Sequence, residues 1–131
     1  LQDLFRANFC PIHSYLIDRT IVSSNILRFD TSLTWEEDYD LLLKICANYP
    51  SDFSALGKII GDYYFKTDGS NSTATGQTLT AERNVEYKKV AALIEARRRV
   101  THISPAVQRQ LGLSGTNTAM SIRDALGLMK K

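Results

Sequence analysis

The sequence predicts an α/β chain that is rich in helix, poor in strand and all-helical in its C-terminal half. Three observations lead there. Apolar residues recur at helical spacing after residue 34 and again across most of residues 80–131. Two short runs, residues 11–17 and 59–66, carry Ile with Tyr or Phe and are bounded by turn residues, which marks them as strands. At 131 residues and 44% hydrophobic composition the chain is long enough for one core. It holds no apolar run near the ~18 residues of a membrane span and no basic-then-apolar leader.

Residues 1–7 read as the end of a helix in a chain that starts without an initiator methionine, which suggests a piece of something longer. Pro11 opens the first strand, where a missing N–H does least harm. Residues 20–27 form a short helix or turn, and Arg28-Phe29-Asp30 enters a loop. A helix then starts at Thr34 and stops at Tyr49-Pro50, because a residue before proline is pushed out of helical geometry. Residues 54–58 suit one more helical turn before the second strand, and the Asp, Gly, Ser and Asn of residues 67–72 suit a surface turn.

Thr80 caps a long helix reaching about Val100. One of its stripes is Val85, Ala92, Leu93, Ala96 and Val100, and another is Tyr87, Val90 and Ile94, so it needs two partners. Ser104-Pro105 is an N-cap followed by Pro at the first helical position, with Gly112 as the stop. A last amphipathic helix, from about Thr118, carries Ile122, Leu126 and Met129 on one side. Two strands are too few for an independent sheet, so the sheet's other strands are expected upstream or from another copy.

The run Thr34-Trp35-Glu36-Glu37-Asp38-Tyr39-Asp40 carries the chemistry. At about 100° per residue, Trp35, Tyr39, Leu42, Leu43 and Cys46 form the packed stripe. Glu36, Glu37, Asp40, Lys44 and Asn48 fall on the solvent arc, while Asp38 falls between Leu42 and the Leu41/Ile45 edge. A carboxylate on an apolar side has a raised pKa unless donors surround it, which suits a general base. The structural alternative is that the helix start supplies those donors, with Thr34 and Glu37 as a capping box.

Net charge is only +2, but residues 1–81 hold −4 and residues 82–131 hold +6. A basic tail suits phosphates, nucleic acid or an anionic membrane surface, or is simply a solvated helix face. Cys10 and Cys46 are the only cysteines and His13 and His102 the only histidines, at spacings that form no zinc pattern. A reduced, cytoplasmic setting follows.

Asn8-x-x-Pro11-Ile12-His13-Ser14, Leu27-x-Phe29-Asp30-x-x-Leu33, Glu37-Asp38-Tyr39-Asp40-Leu41-Leu42 and Ile60-Gly61-Asp62-Tyr63-Tyr64-x-Lys66-Thr67-Asp68-Gly69-Ser70-Asn71 together resemble the C-terminal, acceptor-side half of a bacterial family-2 glycosyltransferase. The resemblance spans residues 5–72. It implies a GT-A fold, a Rossmann-like sheet with helices on both faces, and transfer of a sugar from a nucleotide-sugar donor to a saccharide or lipid-linked acceptor, in surface polysaccharide synthesis. It divides the chain into an acceptor-side part, residues 1–77, and a helical extension, residues 78–131. Glu37-Asp38 matches the family's acidic ED pair, with Asp38 as the base that deprotonates the acceptor hydroxyl. Trp35 lines the acceptor site or anchors the core. His13 and Ser14 approach the acceptor or are ordinary strand residues, and Lys66 meets a phosphate or belongs to a hydrophilic turn. The family's divalent metal, Mn or Mg, is held by a D-x-D loop on the donor side.

This chain departs from the family in having neither the glycine-rich phosphate loops nor that D-x-D loop. Asp38-Tyr39-Asp40 has the spacing, but on a helix its acids point about 200° apart. The chain alone is therefore expected to bind no metal and to be inactive. The setting expected is cytoplasmic, at the inner face of the membrane if the acceptor is lipid-linked, with peripheral membrane contact and a homo-oligomer both left open. The alternative reading is a helical protein-interaction or nucleic-acid-binding module resting on Arg97-Arg98-Arg99, although no base-stacking pattern or helix-turn-helix accompanies that run. A glycosidase with Glu37 and Asp38 as its two acids fails, because adjacent helical residues diverge.

Overall fold

Helices form where the chain satisfies their ends locally. The structure, a computed structural model, describes residues 1–62, 64, 80–113 and 119–129. Among these, helix α1 is Gln2–Arg6, a 3-10 turn covers Ile12–Ser14, and the remaining helices are α2 (Glu37–Asn48), α3 (Ala81–Val100), α4 (Pro105–Gln110) and α5 (Ile122–Leu128). The Thr80 hydroxyl accepts the Arg83 N–H at 3.3 Å to start α3, and Ser104 accepts that of Val107 at 3.3 Å to start α4. Gly112, at φ +71°, ends α4. Its own N–H reaches the Arg109 carbonyl, and the Leu113 N–H reaches that of Gln108 at 2.9 Å, the paired closure of a Schellman motif. Ser121 and Asp124 form a reciprocal capping box at α5. Helix α2 gives way to extended backbone at Tyr49, directly before Pro50.

One core gathers all five helices. Leu4 and Phe5 of α1 meet Tyr39, Leu42, Leu43, Cys46 and Ala47 of α2, Val90 and Ile94 of α3, Val107 of α4 and Ile122, Ala125 and Leu126 of α5. A smaller cluster lies on the other side of α2, where Leu41 and Ile45 pack on Val22, with Ile17, Ile26, Leu27 and Tyr49 around them. Helix α3 turns only its Val90/Ile94 side inward; Val85, Leu93 and Val100 of its other stripe are exposed. No helix among the described residues is long and apolar enough to cross a membrane.

The α/β expectation, and with it the Rossmann-like GT-A sheet, is overturned: no strand forms among the described residues and the fold is helical. An isolated bridge joins His102 to Ser121. A strand exists only as part of a ladder, and the described residues of the two candidate runs find none. Residues 12–14 close instead into the 3-10 turn, with both the N–H and the hydroxyl of Ser14 donating to the Pro11 carbonyl. Leu16 is left fully exposed, and Ile59 and Ile60 are exposed as well. Residues 63, 65 and 66 of the second run, the turn at 67–72 and the expected start of the last helix at Thr118 lie outside the described residues.

Charge ties α3 to α2 as well as to its close neighbour α5. Asp40, expected on the solvent arc, is 1% exposed. Its carboxylate pairs with the Arg97 guanidinium of α3 and, at 2.9 Å, with Lys44 one turn along α2. Arg97 also binds Asp30 in the preceding loop, and Lys44 donates to the Arg28 carbonyl at 3.1 Å. Helical rotation gives the direction of a side chain but not what lies over it. Here Arg97 of α3 and residues 28–30 cover Asp40 and part of Lys44, while Glu37 and Asn48 of the same arc stay exposed as periodicity assigns.

A neighbouring set ties α1 into the same joint. The Tyr39 hydroxyl donates to the Leu4 carbonyl at 2.6 Å, while Arg98 donates to that hydroxyl at 2.6 Å and to the Arg6 carbonyl at 2.9 Å. The Arg98 guanidinium also lies 5.5 Å from the centre of the Tyr39 ring, within cation–π range. Removing one partner of a buried pair strands the other charge. Arg97→Ala is therefore expected to lower the unfolding free energy by about 3 kcal/mol, read as a fall in the denaturant midpoint, with Lys44→Ala costing much less because Arg97 still covers Asp40.

Candidate functional site

The start of α2 carries four acids, Glu36, Glu37, Asp38 and Asp40, next in sequence to a half-buried tryptophan. The expected capping box does not form. Thr34 instead donates to the Glu86 carboxylate of α3 at 3.1 Å, and the helix begins two residues later with Glu36 as its N-cap, without a side-chain cap hydrogen bond. Glu36 has φ +59° and ψ +22°, the one non-glycine residue with positive φ among those described. A residue other than glycine rarely sits in the left-handed region, and such strain persists only where the surroundings enforce it. The enforcement is visible on both sides of Glu36. Its carbonyl accepts the Asp40 N–H at 2.8 Å, and Trp35 just before it packs on Tyr87 with ring centroids 5.7 Å apart and planes inclined at 53°.

The acids that follow have separate environments. Glu37 is exposed and Asp38 half-buried. The Asp38 carboxylate accepts its neighbour's backbone N–H, that of Tyr39, at 2.7 Å. No cation lies within ion-pair distance of it among the described residues. Asp30 and Asp40 share Arg97, and Asp30 is held well below the usual carboxylate range, first by hydrogen bonds from Ser32 and then by Arg97.

Glu36, assigned by periodicity to solvent, is half-buried. Burial pushes its carboxyl pKa up and the Asp38 charge pushes it further, against a smaller pull from Arg98. The Tyr15 phenol also feels Asp38: burial first, then the charge of Asp38 and the two thiols, raises its pKa. Its oxygen is buried without a hydrogen-bond partner among the described residues. Cys10 and Cys46 lie nearby, both with thiol pKa raised by burial, and the Ser51 hydroxyl is 3.2 Å from the Cys46 sulfur.

Of the residues singled out from sequence, Trp35, Glu37 and Asp38 stand together at this helix start. His13 and Ser14 lie on the exposed 3-10 turn rather than on a strand, and Lys66 lies outside the described residues. Glu36 and Tyr87 were not singled out. Periodicity could not show Glu36 because it counts from a helix start two residues too early, and it could show only that Tyr87 belongs to an apolar stripe. No protein-family model, curated protein or solved structure matches the chain.

The divalent metal implied by the resemblance does not fit these donors. Asp40, the second acid of Asp38-Tyr39-Asp40, is buried under Arg97 and Lys44, and the carboxylate facing it is Asp30, not Asp38. The Arg97-Arg98-Arg99 run is likewise engaged internally. Arg97 holds Asp30 and Asp40, Arg98 holds Tyr39 and the α1 carbonyl, and Arg99 lies 3.7 Å from Glu95. Each of the three thus has a carboxylate within ion-pair distance, Arg98 and Arg99 sharing Glu95 at 3.4 and 3.7 Å, while the Arg99 side chain stays 65% exposed.

The raised pKa of Glu36 has a definite sign. A carboxyl that ionises less readily in the folded protein than in the unfolded chain costs stability only when charged. The cost is absent below the unfolded value of about 4.3, grows as pH rises through the folded value and is then constant. Glu36→Gln is expected to be more stable than wild type at neutral pH and equal to it at acid pH, as checked by denaturant unfolding across a pH series.

Proposed function

We propose that this chain supplies the acceptor side of a glycosyltransferase, with Asp38 as the base that takes the proton of an acceptor hydroxyl. The observation that supports this reading is the contrast among the acids around α2. Asp30 and Asp40 are neutralised by Arg97, whereas Asp38 is half-buried, free of cations among the described residues and three positions from a partly exposed tryptophan. A base must be able to accept a proton, and a guanidinium on a carboxylate prevents that by stabilising the anion. A half-buried carboxylate three residues from a partly exposed tryptophan suits a saccharide, whose C–H face stacks on a ring while a hydroxyl meets the acid.

In the reaction, the acceptor O–H gives its proton to Asp38 as its oxygen attacks the anomeric carbon of the donor sugar. The bond from that carbon to the nucleoside diphosphate breaks, and the diphosphate leaves with the electron pair. One displacement of this kind inverts the anomeric centre. The nucleotide-sugar and its divalent metal are assigned to a donor side outside these residues, so the chain by itself is expected to be inactive. A lipid-linked acceptor would place the reaction at the cytoplasmic face of a membrane.

The test is turnover of a panel of nucleotide-sugars, with Mn²⁺ or Mg²⁺, by a full-length transferase containing this chain. Asp38→Asn is expected to lower kcat by on the order of 10²–10⁴, the usual contribution of a general base, while donor binding and the thermal midpoint hold. Glu37→Gln, at an exposed position, is expected to stay within a few-fold of wild type. Unchanged turnover in Asp38→Asn would leave Asp38 a structural acid, and no turnover of any donor by wild type would reject the transferase reading.

A further inference from the structure

Helix α3 lies outside the stretch that resembles a glycosyltransferase, yet it is stitched to the start of α2 by two adjacent pairs. Thr34 bonds Glu86 at 3.1 Å, and Trp35 stacks on Tyr87 with centroids 5.7 Å apart. Behind them Arg97 binds Asp30 and Asp40, so the α3 backbone is anchored on both sides of Tyr87. Tyr87 remains 40% exposed and Trp35 is half-buried. The two rings are inclined at 53°, so they present an angled surface rather than a closed stack. Trp35 packs on the main core with part of its ring, while the rest of it and the Tyr87 ring stay open to solvent.

From this geometry we infer that Tyr87 of α3 and Trp35 together form a saccharide-binding platform beside Asp38, so that the C-terminal helical region contributes directly to acceptor recognition. The assignment rests on the acceptor-side reading above and extends it to a residue outside the family resemblance. The ligand class follows from the surface. Two inclined rings offer apolar faces to the C–H side of a pyranose, and the acids at residues 36–38 accept hydrogen bonds from its hydroxyls. The same acids repel a phosphate or a nucleic-acid backbone. Tyr87 acts by positioning the sugar and takes no part in proton transfer.

Trp35 is the only tryptophan of the chain, so its fluorescence reports this place alone. The 131-residue chain is titrated with cellobiose and, separately, with lactose. Wild type is expected to show a saturable change in Trp35 emission at about millimolar sugar, the affinity typical of a small stacked ligand. Tyr87→Phe, which keeps the ring, is expected to bind within about twofold of wild type, and Tyr87→Leu to weaken binding about tenfold or more, a factor worth about 1.4 kcal/mol. Circular dichroism establishes that each variant is folded.

Equal binding by folded Tyr87→Leu and wild type would overturn the platform, as would the lack of a saturable change with both sugars. If Tyr87→Leu does not fold, Tyr87→His replaces it with the same expectation of weakened binding. Asp38→Asn separates this inference from the reading beneath it. Sugar binding that depends on Tyr87 while no donor is ever turned over would sustain the platform and reject the transferase; turnover lost in Asp38→Asn with acceptor KM unmoved by Tyr87→Leu would do the reverse.

Discussion

The carboxylate of Asp40 is the constraint around which this fold is arranged. A charge removed from water must meet an opposite charge in good geometry, and here the main counter-charge, Arg97, belongs to a different helix. Once Arg97 stands over Asp40, α3 has a fixed place along α2, and the loop carrying Asp30 is drawn in by the same guanidinium. Arg98, the next residue, then falls on Tyr39 and the end of α1. Val90 and Ile94 join the common core, where α3 lies closest to α5 and Arg123 of α5 binds Glu95 at 2.6 Å, so the ion pairs to α2 act together with that contact.

That placement of α3 decides what stands at the start of α2. The anchoring of α3 brings Glu86 to Thr34 and Tyr87 to Trp35, and with Thr34 engaged there the helix cannot use it as a cap. Glu36 takes the N-cap position in a left-handed conformation instead. The acids around the helix start thereby receive different tasks. Asp40 is structural, Glu36 is a half-buried carboxyl with a raised pKa, and Asp38 remains without a cation among the described residues. Separation of nearby carboxyls by environment leaves this helix start with one scaffold acid and one carboxylate that no cation pairs among the described residues.

The two runs with strand composition show the limit of composition as a guide. Residues 11–17 and 59–62 carry the right side chains, but a strand's backbone groups need a neighbour's. Without one, residues 12–14 satisfy themselves in a 3-10 turn, and Leu16, Ile59 and Ile60 face outward. Likewise, Arg97 and Arg98 look like part of a basic patch in sequence and are internal ties in three dimensions, while Arg99 stays largely exposed.

Several helix ends were legible without the structure, the start of α2 not among them. Thr80, Ser104-Pro105, Gly112 and Tyr49-Pro50 act through hydrogen bonds or steric clashes within a few residues of themselves, so their meaning travels with the local sequence. The clustering of Trp35, Glu37 and Asp38 was legible for the same reason. What only the tertiary structure decided was the burial of Asp40, the neutralisation of the arginine run, the strained backbone at Glu36 and the pairing of Tyr87 with Trp35. Each depends on partners far apart in the chain, as Arg97 is 67 positions from Asp30. Periodicity fixes the angle at which a side chain leaves its helix; whether water or a guanidinium waits there is decided by packing.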